Sequence, residues 1–139
     1  MEKEALKRIF EFLEEKEGKT HKDKGSLKWK IIFNEPITKE DLNVKGGLNL
    51  SNKNITSLPE GLKFGGALFL GGLKITLLPE GLEVGGWLDL RYTKITSLPE
   101  GLKVGGSLYI KNTKLTKYLD NELREMVKPG FIKGKIFRD

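Results

Sequence analysis

The sequence contains no cysteine and a single histidine. No cysteine means no disulfide framework, no thiolate metal site and no thiol nucleophile, a usage that fits a reducing compartment. His21 stands alone in the charged stretch KTHKDKG. It reads as a solvated side chain rather than a general base, and without a second imidazole or a thiol a zinc site is excluded. Long apolar runs are missing too: nowhere do ~18 consecutive apolar residues suggest a membrane span. The opening MEKEALKRIF mixes both charge signs, so the sequence predicts no secretory leader. A phosphate-cradling G-x-x-x-x-G-K-[ST] is absent as well, because EGKT at Glu17–Thr20 is preceded by Leu13 where the first glycine must stand. Calcium-binding nonapeptides need an aspartate in every copy, and the repeated strands described below contain only Asp89. No catalytic residue, metal site or cofactor is expected.

Charge of one sign is not concentrated anywhere. The formal net charge is +6, with basic against acidic residues 9 to 8 over residues 1–36, 10 to 7 over 37–116 and 6 to 4 over 117–139. Such a distribution reads as a solvated mixed-charge surface and contains no block that marks a nucleic-acid tail. At 139 residues the chain is expected to be one domain, long enough to bury more than half of its unfolded surface.

What the chain has in excess is glycine, 17 residues, and repetition explains it. The twelve letters ITSLPEGLKFGG at Ile55–Gly66 recur as ITLLPEGLEVGG at Ile75–Gly86 and ITSLPEGLKVGG at Ile95–Gly106. Aligned without gaps, four rungs of 20 residues start at Leu42, Leu62, Leu82 and Leu102. Their apolar columns are kept: Val44, Phe64, Val84 and Val104; Leu48, Leu68, Leu88 and Leu108; Leu50, Leu70, Leu90 and Ile110; Ile55, Ile75, Ile95 and Leu115. A twenty-residue unit cannot bury so many apolar side chains alone, whereas stacked coils turn each column into a continuous ladder in a shared core. In each LPEG the proline presets φ for a turn and the glycine supplies φ > 0. Each Gly-Gly pair marks a second tight corner, where a Cβ would collide with the neighbouring coil. The expected architecture is therefore a β-solenoid in an α+β chain.

Flanking segments differ. Leu6, Ile9, Phe10 and Leu13 have helical spacing and predict an amphipathic helix over Glu2–Glu17. Leu27, Trp29, Ile31 and Phe33 alternate and predict a half-buried strand. At the other end, Tyr118 or Leu119 with Leu123, Met126 and Val127 predict a helix stopped by Pro129–Gly130 before the strand FIKGKIF. We expect residues 1–36 and 117–139 to act as helix-strand caps over the open edges of a four-rung solenoid spanning 37–116.

The pattern LxLxxTxIxSLPEGL resembles the shortest class of leucine-rich repeat, the twenty-residue type of bacterial secreted effectors. The variant with VGG and SLPEGL, together with the tail PGFIKGKIF at Pro129–Phe137, is similar to small leucine-rich-repeat-like proteins of bacteriophages and other mobile elements. The usual Asn ladder is replaced here by Lys53, Leu73, Thr93 and Thr113, which favours a flatter β-solenoid with threonine or apolar stacking. The ubiquitin-ligase domain that some such effectors have needs a catalytic cysteine and more chain than is present. The missing apolar runs predict no membrane association, and the resemblance implies a protein-binding module in the cytoplasm with a host factor as partner. That factor would be a defence component such as a CRISPR effector, blocked by occlusion.

Function in such a solenoid is expected on the outward letters of the LxL strands, because their leucines point inward. Those letters bring Phe69, Trp87, Tyr109 and Tyr92 near Asp89, Arg91 and Lys111, a mixture that interfaces enrich. The rings have a second reading, as core beneath the N-terminal helix. Lys74, Lys94 and Lys114 form a column about 5 Å apart that would suit a polyanion, unless Glu60, Glu80 and Glu100 pair with it. A third possibility is a structural component of a virion.

Overall fold

A hydrophobic pattern with a gap-free period of twenty requires each copy to return to the same place one strand spacing further along. The computed structural model describes residues 26–139, and the chain divides into two compact units, Met1–Asp41 and Leu42–Asp139. In the second unit every copy makes two two-residue strands: β1 Asn43–Val44 and β2 Leu48–Asn49, β3 Lys63–Phe64 and β4 Leu68–Phe69, β5 Glu83–Val84 and β6 Leu88–Asp89, β7 Lys103–Val104 and β8 Leu108–Tyr109. A fifth pair, β9 Phe131–Ile132 and β10 Ile136–Phe137, follows. These build two parallel five-stranded sheets, β1-β3-β5-β7-β9 and β2-β4-β6-β8-β10. The register is the one that the repeat dictates, with Phe64 opposite Val84 and Leu68 opposite Leu88. The expected solenoid of about twenty residues per turn is what forms.

Between the two strands of each coil the chain turns at the paired glycines. A Cβ on Gly65, Gly85 or Gly105 would run into the backbone carbonyl of Lys45, Gly65 or Gly85 in the coil before it, so these corners admit no side chain. At the other corner Gly61, Gly81 and Gly101 adopt φ of +83°, +73° and +80°, as the LPEG turns require. Inside, Leu62, Leu68, Leu70, Ile75, Leu82, Leu88, Leu90, Leu102 and Leu108 are fully enclosed. Each such side chain contributes about 1.5–3 kcal/mol relative to exposure. In place of an Asn ladder, the buried Thr93 and Thr113 hydroxyls donate to the carbonyls of Leu90 and Ile110, both at 2.7 Å, and Leu73 fills the same place with an apolar side chain.

Two expectations at the flanks are corrected. The segment Leu27–Phe33 is not a strand but a helix, α1. Ser26 caps it by accepting from the Trp29 amide at 3.2 Å, and Asn34 ends it in the left-handed region at φ 55°. Trp29 and Phe33, four apart, bring their rings to 4.4 Å. Seven residues of alternation do not discriminate a strand from a short helix buried on more than one side. Within the same unit Asp41 accepts from Lys30 Nζ at 2.7 Å and from the Thr38 amide at 2.9 Å. The helix expected over Glu2–Glu17 lies outside the described residues.

The second correction concerns Phe131–Phe137. These residues form not one strand but two, which extend both sheets, Val104 pairing with Ile132 and Leu108 with Ile136. The step from the fourth strand pair to the fifth is 28 residues instead of 20, and the extra length contains a helix, α2, Asp120–Met126. Leu123 and Val127 anchor it in the core, Met126 is half-buried and Leu119 lies exposed just before it. The Glu122 carboxylate accepts from the Leu119 amide at 2.8 Å and so satisfies one donor at the helix start.

Candidate functional site

Strands of two residues leave little backbone to vary, so the outer faces differ only through the side chains that alternate outward. On the second sheet the expected cluster assembles around Tyr109. Its ring lies 6.0 Å from Trp87 in an edge-to-face arrangement, and 4.9 Å from Phe137 with the planes 16° apart. Contacts of this kind contribute about 0.5–1.5 kcal/mol beyond the area they bury. Trp87 is 52% exposed and Phe137 38%, whereas Phe69 and Tyr109 are half-buried.

Asp89 departs from the expected exposed position. It lies between Phe69 and Tyr109 in strand register and is only 5% exposed. Arg91 answers its charge with a two-pronged contact, Nε to Oδ1 and Nη2 to Oδ2, both 2.9 Å, while the Arg91 amide donates to Oδ1 at 3.0 Å. A planar fork on a carboxylate fixes both groups in direction as well as distance. The hydrogen bond and charge of Asp89 raise the guanidinium pKa above its ordinary value. Its carbon stands 5.6 Å from the Tyr109 ring centre, a cation–π contact. Arg91 is thus held beside the ring strip, with Nη1 unpartnered among the described residues.

Tyr92 adjoins this strip in an unusual backbone state. Its φ is +62°, and the same place in the other coils is taken by Asn52, Gly72 and Asn112, at +58°, +78° and +56°. Asparagine and glycine tolerate the left-handed region; a tyrosine there is strained, and this one is 56% exposed. Lys111, at the repeat position of Arg91 one coil on, accepts from the Tyr92 amide through its carbonyl at 3.0 Å. It lines a groove of about 910 Å³ with Lys94, Asn112, Lys114 and Arg138. Lys74, Lys94 and Lys114 are all exposed, and among the described residues none of them pairs with Glu60, Glu80 or Glu100.

Sequence reasoning missed two features. Phe137 joins the ring strip through the fifth strand pair, a role hidden by the longer step before it. On the first sheet, Glu83 bridges Lys63 at 3.2 Å and Lys103 at 3.5 Å beside a glycine-floored groove of about 520 Å³. The alternation Lys, Glu, Lys at one repeat position was the signal for it. No group of three or more His, Cys, Asp or Glu among the described residues is arranged to hold a metal ion, and no described helix is long and apolar enough to cross a membrane. Compared with protein-family models, with curated proteins and with solved structures, the chain matches none.

Proposed function

We propose that this chain is a non-enzymatic protein-binding module that docks through the outer face of its second sheet. The observation that carries the reading is the half-exposed ring strip Trp87–Tyr109–Phe137 with Arg91 locked at its edge. Large rigid rings lose little entropy when fixed and bury much area, and a pre-oriented guanidinium adds directed hydrogen bonds at the margin. Following the resemblance to twenty-residue leucine-rich repeats of mobile elements, the partner in this reading is a host-defence protein met in the cytoplasm and blocked by occlusion. The test uses a photo-crosslinking residue at position 87, with the same residue at 76 as the control, and identification of the adducts from host cells. Trp87→Ala should then weaken binding of the captured partner by at least about 2 kcal/mol while melting is nearly unchanged. A variant that melts early yet still binds when folded removes Trp87 from the site.

A second reading rests on the Lys74, Lys94 and Lys114 column, which no carboxylate answers among the described residues. If it binds a polyanion, affinity for a DNA or RNA oligomer falls steeply with salt. Replacing the three with Gln then flattens that slope by roughly one unit for each phosphate released. A submicromolar, salt-sensitive affinity at physiological ionic strength places this reading first.

A further inference from the structure

Parallel sheets built by stacking have a last rung, and the polar backbone groups that the next rung would take are left facing outward. In the first sheet each new coil donates amides backward: Lys133 N to Val104 O at 2.9 Å and Gly134 N to Gly106 O at 2.9 Å. The carbonyls of Ile132 and Gly134 occupy the equivalent places in the final coil, so they are the acceptors that a further coil would use. They are already taken. Arg124, on α2, donates from Nη1 to Ile132 O and from Nη2 to Gly134 O, the latter at 3.0 Å. One guanidinium thereby supplies two donors at the spacing at which an additional rung would supply two amides. Buried Leu123 and Val127 hold the helix that presents it.

We propose that Arg124 stands in for the two amides of an absent rung and so closes a strand-accepting edge to a second copy of this chain. A second copy is the matching occupant because its 20-residue rungs have the Gly-Gly corner and the backward amide donors that three internal junctions repeat, and the fourth junction shows that a Lys133–Gly134 corner stacks on them with the same donor pattern. Lysine could not do this, since a single ammonium lacks the planar fork that reaches two carbonyls at once.

The test uses Arg124→Met, which keeps most of the stem and removes both donors, and a labelled synthetic peptide of residues 102–111, which spans both strands of one rung. Light scattering should show the full-length variant growing in mass with concentration while the parent stays monomeric. The peptide should bind the variant at least about tenfold more tightly than the parent, since hydrogen bonds from a charged donor no longer compete. Where Arg124→Met lowers the helical and strand signal in circular dichroism, Arg124→Lys is measured in the same two assays, with the same expectation. A folded variant that remains monomeric and binds no peptide overturns the proposal, as does a parent protein that takes up the peptide equally well.

Discussion

The two sheets share one repeat, one set of turns and one core, yet their outer faces are built differently. Within the 20-residue copies the first sheet turns outward Lys63, Glu83 and Lys103 in one row and Gly65, Gly85 and Gly105 in the next, and a single exposed ring, Phe131, ends the first row. The glycines are demanded by the coil below, and the charges satisfy one another across the ladder. At the corresponding places the second sheet turns outward Ala67, Trp87 and Ser107, then Phe69, Asp89 and Tyr109, with no type kept. Packing holds a repeat where neighbours touch; where nothing touches, any solvated residue would serve. Unlike rings around a fork-bonded carboxylate are not demanded by the repeat, and the docking role proposed above is the cause that we assign to them.

The largest expected effect breaks what the faces share. Leu88 is fully enclosed, and Leu88→Ala should cost about 2–5 kcal/mol through lost burial and the cavity left behind. Lys94→Ala, on an exposed column, should stay within about half a kcal/mol. Denaturant melts read both. Equal and small effects would mean that the inward register is wrong for both sheets at once.

Next in size is the ion pair that distinguishes the second face. Arg91→Ala removes the counter-charge and part of the cover of the Asp89 carboxylate and leaves it one backbone donor, a loss of about 1–3 kcal/mol. Adding Asp89→Asn to that variant should recover part of the loss, because a neutral amide tolerates the site better than an unanswered charge. Without recovery, the contribution of Arg91 is its contact with Tyr109 and not its charge.

How much of this was legible in the letters depends on how far a gap-free period reaches. The columns through Leu68, Leu88 and Leu108 and the Gly-Gly corners follow from a period of twenty and steric size alone. Phe137 was not legible, because eight extra residues between strand pairs shift the register and only closure in three dimensions restores it. Asp89 was misplaced for another reason. Alternation says which way a side chain points, not whether Arg91 and two rings then cover it. For Leu27–Phe33 the deciding marks are Ser26 and Asn34, whose capping roles the alternation of apolar residues does not reveal.

Tyr92 sharpens the comparison in the opposite direction, since its replacement should stabilise. Asn52 and Asn112 occupy the same left-handed place, so Tyr92→Asn should relieve about 1 kcal/mol of backbone strain. A higher melting temperature with weaker binding of the protein partner marks the tyrosine as retained for contact. Unchanged binding in the stabilised variant would exempt Tyr92 from the interface and shrink the site to the ring strip and Arg91.

The smallest effect lies on the first face. The Glu83 carboxyl is held below its ordinary value of 4.5 chiefly by the hydrogen bond from Lys63, with the charges of Lys63 and Lys103 adding to it against a modest burial penalty. Because the folded protein binds this proton less readily than the unfolded chain, the stabilisation is fully present above the unfolded value. It is lost as pH falls through the lower, folded one. Glu83→Gln should therefore cost only a few tenths of a kcal/mol at neutral pH, as exposed pairs do, and progressively less in acid or at about 1 M salt. Chemical melts of both proteins across that pH range supply the measurement. A cost that persists in acid and salt would show that Glu83 acts through the packing of its stem along the glycine groove, and the first face would then be more than a self-satisfied ladder.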